Sequence, residues 1–305
     1  MKSENILQPV SENSSNHAGS VKNAPKSRRA KDLQSRFLRF LTYGFAMLTL
    51  SILLYMIMDI VIRGIPGLKP SLFSWTYNSE NVSLMPALIN TLYMVLFSLL
   101  LSIPLSVGCA IFLVEFSKPK SRFSEVILMA VQTLSGVPSI VFGLFGSIFF
   151  ARFCHLGLSL TSGALTMVMM VLPLGIKTTQ EALREVPVSR REASYGLGAG
   201  KVRTIFRIVL PGAMPGILNG IVLSTGRIIG ESAALIFTAG TLAKAAPDLL
   251  SSARTLAVHM YALSSEGLYI QQTYSTALIL LVVTIALNAA SGFVGRLMKR
   301  KNDHE

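Results

Sequence analysis

Charge is scarce in this sequence: only 14% of its 305 residues are Asp, Glu, Lys or Arg, whereas 51% are hydrophobic and the mean hydropathy is +0.55. Water-soluble domains carry about a quarter charged residues, so that class is excluded. Cysteine is nearly missing. Cys109 and Cys154 both lie in or beside apolar runs with no second cysteine at metal or redox spacing, and they are expected to act as small hydrophobic fillers. His17, His155, His259 and His304 are scattered, and there is no HExxH, no GxSxG and no paired His or Cys at ligand spacing. A membrane-embedded enzyme is therefore not expected. Acidic residues are also scarce, 15 against 28 basic ones, for a net charge of +13 and a pI near 10.0. Such a balance suits nucleic acid when basic residues mingle with aromatics, but here they cluster between apolar runs, so no nucleic-acid partner is expected. Repeats with a period of roughly 20 to 50 residues and sustained heptads are absent. There is also no short basic start followed directly by an apolar core, so the first apolar run is expected to persist in the mature protein.

What the sequence does have is six apolar runs, at about 37–62, 85–114, 123–151, 156–176, 212–239 and 273–297. Each is about the length that crosses a bilayer, and six are too many to hide in a soluble core. The expected fold is all-α: a polytopic bundle of six spans forming one transmembrane domain over 37–298. Residues 1–36 are rich in Ser, Asn, Lys and Arg and cannot bury enough surface to offset chain entropy, so a disordered basic tail is expected there, with a short tail at 299–305. Pro104, Pro138 and Pro173 fall inside spans and are expected to bend or break them. The N-terminal segment through Arg39, Lys118–Arg122, Lys177–Arg207 and the C-terminal tail together hold 22 Lys and Arg; the other side holds only Arg63, Lys69, Arg152, Lys244 and Arg254. The positive-inside bias then places both termini in the cytoplasm. The loops at 63–84, with Trp75 and Tyr77, and at 240–272, with Pro247, Arg254 and His259, face the opposite side and can touch an extracytoplasmic partner.

A long connection, 178–211, follows the fourth run. In it Glu192, Ala193 and Ser194 are followed by Gly198, and after nine further residues by Ile208, Leu210 and Pro211. Glu192 to Leu197 suits one short helix, Gly198 a turn without a Cβ penalty, and Lys201 to Val209 a second helix. The Gly196, Gly198, Gly200, Lys201 run is not a phosphate-binding P-loop, because its spacing is short and Val202 stands where Ser or Thr must ligate magnesium. A basic amphipathic helix lying on anionic lipid is one reading of this segment. Its spacing resembles the EAA loop of the permease subunits of ABC importers, with Ser194 in place of the second Ala.

The fifth run contains Gly226, Arg227, Gly230, Glu231, Ser232, Ala233 and Ala234. As one helix it sets Arg227 and Glu231 on the same face, one turn apart. A charge at bilayer depth costs roughly 2.5 to 3.5 kcal/mol on insertion scales, so such residues face a cavity or a partner. Guanidinium can hold a tetrahedral oxyanion by two parallel hydrogen bonds while staying charged. Glu231 can accept from the hydroxyl of hydrogen phosphate, which sulfate lacks at neutral pH. The alternative is that the two merely neutralise each other.

The stretch from 226 to 235 resembles the corresponding region of phosphate-uptake permeases of the PstA type, with Arg227 and Glu231 matching. Ser232 replaces the usual Thr, and Ala234 the common Pro, which implies a straighter helix. Leu134 to Leu144 resembles a Gly-x-Pro-Ser segment of the same family, which can present backbone and the Ser135 or Ser139 hydroxyl to a passing anion, or can be a kink alone. Lys177 stands where the family usually has Arg, either an inner anion waypoint or a snorkelling anchor.

The resemblance covers about 37–300 and implies a type I (MetI-like) ABC importer permease of the bacterial inner membrane. It implies a PstC-like permease partner, two PstB-like ATPase subunits and an extracytoplasmic PstS-like phosphate-binding protein, besides membrane lipid. It implies no cofactor on this chain, ATP and magnesium being held by the ATPase. Substrate-path roles fall to Arg227, Glu231, Lys177, Ser135 and Ser139. ATPase coupling falls to Glu192, Ala193, Ser194, Gly198, Ile208 and Pro211, with Ala193 and Ser194 at the closest approach. Sulfate or molybdate remains the alternative cargo, and a part in phosphate-responsive signalling is a further role.

Overall fold

The computed structural model describes residues 26–118 and 121–302, with side chains described over 35–118 and 121–293. Among the described residues there are helices and irregular segments but no strand, as expected of an all-α chain. The tail expected up to residue 36 lies outside the described residues as far as 25. From Lys26 the chain is helical, so 26–36 open the first helix, α1 (Lys26–Gly64). At the other end residues 299–302 complete the last helix, and 303–305 lie outside the described residues.

Among the described residues, five helical segments are long and apolar enough to cross a membrane: Ser35–Gly67, Met85–Phe116, Leu160–Glu185, Lys201–Gly230 and Ile270–Phe293. A sixth passes only as a pair of helices taken together, Arg122–Ser135 and Ser139–Phe153, bent by 107° as a broken span or a re-entrant loop would be. The expected continuous run 123–151 is thus two elements, α3 (Arg122–Ser135) and α4 (Ser139–Gly146), the latter continued by a π-type turn over Ser147–Phe153. Pro138 lacks an N–H and disfavours helical backbone at Val137, and Gly136 supplies no side chain to hold the turn together. Pro104 and Pro173, by contrast, sit within unbroken helices, α2 (Met85–Ile111) and α5 (Leu160–Glu185).

Two compact units divide the chain, Met1–Ile57 and Met58–Glu305. The first contains the proline-free apolar stretch of α1. In the second, α5 is the inner helix: 61% of its most apolar stretch is buried, against 28% for the most apolar stretches of Met85–Phe116, which holds α2, and Lys201–Gly230, which holds α8 (Leu210–Gly230). Both α2 and α8 pack along α5. Small residues set the α5–α8 distance. A Cβ on Gly216 would stand 2.5 Å from that of Ala182, and one on Gly220 would collide with Thr178 Oγ1. In lipid no hydrophobic force drives helices together, and such close approach lets dispersion contacts hold them. We predict that Gly216→Val overpacks this crossing and lowers stability by about 1–3 kcal/mol, read as a fall in melting temperature of the purified permease complex.

Between α5 and α8 lie α6 (Val188–Gly196) and α7 (Lys201–Thr204), the latter running through a π-type turn at Ile205–Val209 straight into α8. The expected loop 178–211 is therefore shorter. Its first residues belong to α5, which extends to Glu185 because Ile176, Thr179, Gln180 and Leu183 continue the buried helical face past the apolar run. The fifth run also divides: α8 stops at Gly230, Glu231 is extended (ψ 127°), and α9 (Ala233–Thr238) begins afresh. The straighter helix expected from Ala234 is not found; the break comes just before it. α9 packs on α4 so closely that a Cβ on Gly143 would lie 2.7 Å from the Ala234 Cα.

The last elements are α10 (Leu256–Glu266), ended by left-handed Gly267 (φ 70°), and α11 (Ile270–Asn302). The irregular segment before α10 is tied to α2 by Asn90, which is fully buried. Its Nδ2 donates to the carbonyls of Lys244 (2.9 Å) and Arg254 (3.1 Å), and its Oδ1 accepts from the Ala246 N–H (2.9 Å). Nearby His259 is buried, edge-on to Tyr77 at 6.0 Å, and Arg254 stacks over the same Tyr77 ring at 5.7 Å. Burial, and then the Arg254 charge, push its pKa down to about 4, so its imidazole is neutral at pH 7.

Candidate functional site

Arg227 lies in the last turn of α8 with an exposed side chain, and it has no hydrogen bond or ion pair among the described residues. The one-turn pairing with Glu231 is not made. The ion pairs among the described residues are Asp59–Arg63 and Glu115–Arg191. Glu231 has left the helix, and its half-buried carboxylate turns forward: Oε1 accepts the Ala234 N–H at 3.0 Å and caps the first turn of α9. A carboxylate there satisfies an orphan donor and sits at the favourable end of the helix dipole. The expectation that both residues share one helix face is corrected by the break at Gly230, which redirects Glu231 and leaves the guanidinium unneutralised.

The two breaks border one apolar cluster. Leu134 and Val137, flanking the turn after α3, pack against the same apolar cluster as Ile228, Ile229, Ala234 and Leu235, which flank the turn after α8. Ser135 is exposed and donates to the Val131 carbonyl at 2.7 Å; Ser139 is half-buried at the first position of α4. Lys177 is not at a helix end but eight residues before the end of α5, exposed on its surface. It belongs to a separate part of α5, nearer to α6 in sequence.

Asn288 on α11 escaped the sequence reading. Its Nδ2 lies 4.0 Å from where a Cβ on Gly226 would be, and its buried Oδ1 has no hydrogen-bond partner. The signal was there, the one side-chain amide in the final run of 273–297. Below Arg227, the seam between α2, α5 and α8 holds a small cavity of about 10 Å³ edged by the hydroxyl-bearing Ser102, Ser106, Thr178, Thr179 and Ser224. That is room for about one water.

At the other end, α6 and α7 form the expected helix-turn-helix. Gly198 takes the left-handed conformation (φ 80°) that the turn requires. Ser194 is buried, and its hydroxyl meets that of Thr204 at 2.8 Å, pinning α6 to α7. The expectation that Ser194 faces a partner is corrected: it faces inward, because Gly200 to Thr204 fold back on it. Glu192 and Ala193 are exposed, Ile208 and Pro211 half-buried. The outer surface here mixes exposed apolar side chains, Leu197 90%, Val188 63% and Phe206 59% exposed, with the exposed basic Arg190, Lys201, Arg203 and Arg207.

Residues 102–303 match the family described as binding-protein-dependent transport system inner membrane component. The chain belongs to this family. A probable ABC transporter permease protein, YqgI, of Bacillus subtilis is 31% identical over 231 residues, 70% of this chain and 78% of that one. The phosphate transport system permease protein PstA 1 of Mycobacterium tuberculosis is 34% identical over 220 residues, 70% and 71% of the two chains. A bacterial ABC transporter involved in import of the acidic polysaccharide alginate superposes with a TM-score of 0.62 at 15% identity, over 88% of this chain and 99% of that one. An inward-facing MetNI methionine ABC transporter superposes at 0.55 with 16% identity, over 70% and 94%. The fold is that of a type I, MetI-like importer permease. The chain is a multi-pass membrane permease subunit of an ABC importer and not an enzyme, the ATPase being a separate subunit.

Proposed function

We propose that this permease carries inorganic phosphate, forming half of the translocation pore with a PstC-like subunit. Two PstB-like ATPases, holding ATP and magnesium, drive it through α6, and a PstS-like binding protein delivers the anion. Both termini lie in the cytoplasm, as the basic residues on the α6 side favour. The observation that carries the reading is Arg227, an exposed, unpaired guanidinium at the end of an apolar helix. A permanent cation in that place is costly unless water, a partner or an anion meets it. The PstA-named relative supports phosphate as the anion.

Glu231 supplies the discrimination. One of its oxygens is engaged by the Ala234 N–H, which fixes the carboxylate beside the turn; the other accepts the hydroxyl of hydrogen phosphate, a bond sulfate cannot form. Ser135, Ser139 and Lys177 are further contacts along the path. Glu231→Gln keeps the capping oxygen and loses the charge. We predict that excess sulfate, inert against native uptake of labelled phosphate in vesicles, becomes a competitor in this variant, by roughly tenfold in inhibition constant. Native uptake that sulfate already suppresses equally would reject phosphate selectivity.

A further inference from the structure

Glu115 and Arg191 are 76 positions apart and form the most heavily committed polar contact in the described structure. Glu115 lies in the π-type turn Phe112–Phe116 that ends α2, and Arg191 in the middle of α6. Arg191 Nε and Nη2 donate to the same Glu115 oxygen at 3.2 and 3.1 Å. Its Nη2 also donates to the Leu183 carbonyl and its Nη1 to the Val186 carbonyl, each at 2.7 Å. Those two carbonyls close the C-terminal end of α5, where a helix leaves acceptors without intrahelical donors. One planar fork thus joins the middle of α6 to the ends of α2 and α5, a geometry that a lysine cannot reproduce. The side chains are only 14% and 8% exposed, so the pair is shielded from the solvent screening that makes surface bridges weak. A second link runs beside it: Lys201, at the start of α7, stands 4.9 Å over the Phe116 ring.

We propose that Arg191 is a positioning residue that locks α6 to α2 and α5, so that any displacement of α6 passes to those helices as rigid-body movement. This rests on the reading of α6 as the segment the ATPase moves. Apart from the clasp, α6 itself is bonded by Ser194 and Thr204 only to α7, and it is the α7 arm that reaches the α2 end, through Lys201 over Phe116 and the apolar packing of Val209. Without the clasp, α6 can shift while α2 and α5 stay behind. The ATPase then turns over without moving the pore. A bond that served only to stabilise the fold would instead lower assembly, ATP hydrolysis and uptake together.

The test uses the full complex in proteoliposomes, with Cys109 and Cys154 replaced by Ala and spin labels at Val188→Cys on α6 and Leu105→Cys on α2, both exposed positions. In the native background the distance between labels should be the same without nucleotide and after trapping with ATP and vanadate. In Glu115→Gln, which keeps an acceptor but loses the charge, that distance should shift on trapping. Uptake per ATP hydrolysed should fall about tenfold, the scale of coupling change one contact carries. Arg191→Lys, able to meet Glu115 but not both carbonyls, should fall between. A native distance that changes with ATP, a Glu115→Gln complex with unaltered coupling, or loss of assembly in both variants would overturn the proposal. The reading beneath it has its own check, a cross-link from Leu197→Cys to the ATPase; its absence rejects the coupling role of α6 and the clasp with it. Failure of native phosphate uptake rejects only the cargo, because the distances need ATP and not phosphate.

Discussion

Arg227→Gln will leave the importer assembled and hydrolysing ATP but will lower phosphate uptake roughly a hundredfold. The size follows from what is lost. Glutamine can still donate one neutral hydrogen bond, whereas guanidinium offers two parallel charged ones, each worth about 1.5–3 kcal/mol where water is excluded. Every 1.4 kcal/mol or so is a factor of ten. Folding should be insensitive, because Arg227 is exposed and makes no bond among the described residues. Removing a cation from bilayer depth should if anything favour insertion. Arg227→Lys should retain part of the activity, keeping charge without the fork. Uptake and thermal melting measured on the same preparations check both halves of this expectation.

Asn90→Leu should give the largest loss of stability. The leucine is near in volume but leaves the Lys244 and Arg254 carbonyls and the Ala246 N–H without their partner, at a position that is 0% exposed. Unsatisfied buried groups cost about 1–3 kcal/mol each, and partial rehydration of the loop keeps the total near 3 kcal/mol. Limited proteolysis should find cleavage within 240–255, protected in the native chain. Asn90→Asp, retaining the acceptor for Ala246 alone, should fall between the two. This effect is predicted to be separate from anion handling: residual folded Asn90→Leu protein should show the native preference for phosphate over sulfate.

The membrane architecture was legible because hydropathy acts over whole segments. Runs at 85–114 and 273–297 reappear as α2 with its terminal turn and as α11. The break at Pro138 was legible only in part, because the same missing N–H at Pro104 and Pro173 breaks neither α2 nor α5, and at 138 it acts beside Gly136. Gly198 was placed in a turn for its lack of a Cβ, and its φ of 80° bears that out. The break at Gly230 was not legible. The chain from 226 to 239 keeps an apolar helical pattern, and what stops the helix is the alternative offered by Glu231, whose carboxylate captures the Ala234 N–H. Ser194 was misassigned for a related reason. A small residue suits close approach to a partner and equally suits the inside of a hairpin, and only the fold-back onto Thr204 decides between them. Asn90 and the Arg191–Glu115 clasp depend on groups 76 to 164 positions away, a distance at which spacing carries no information.

The most direct measurement is ATP-dependent accumulation of labelled phosphate in vesicles holding the complete importer: this permease, its permease partner, the ATPase pair and the loaded binding protein. The account predicts accumulation that requires ATP, resists excess sulfate and disappears with Arg227→Gln while ATP hydrolysis continues. An assembled complex that hydrolyses ATP and leaves phosphate outside, or that moves it equally well with Arg227→Gln, would contradict it.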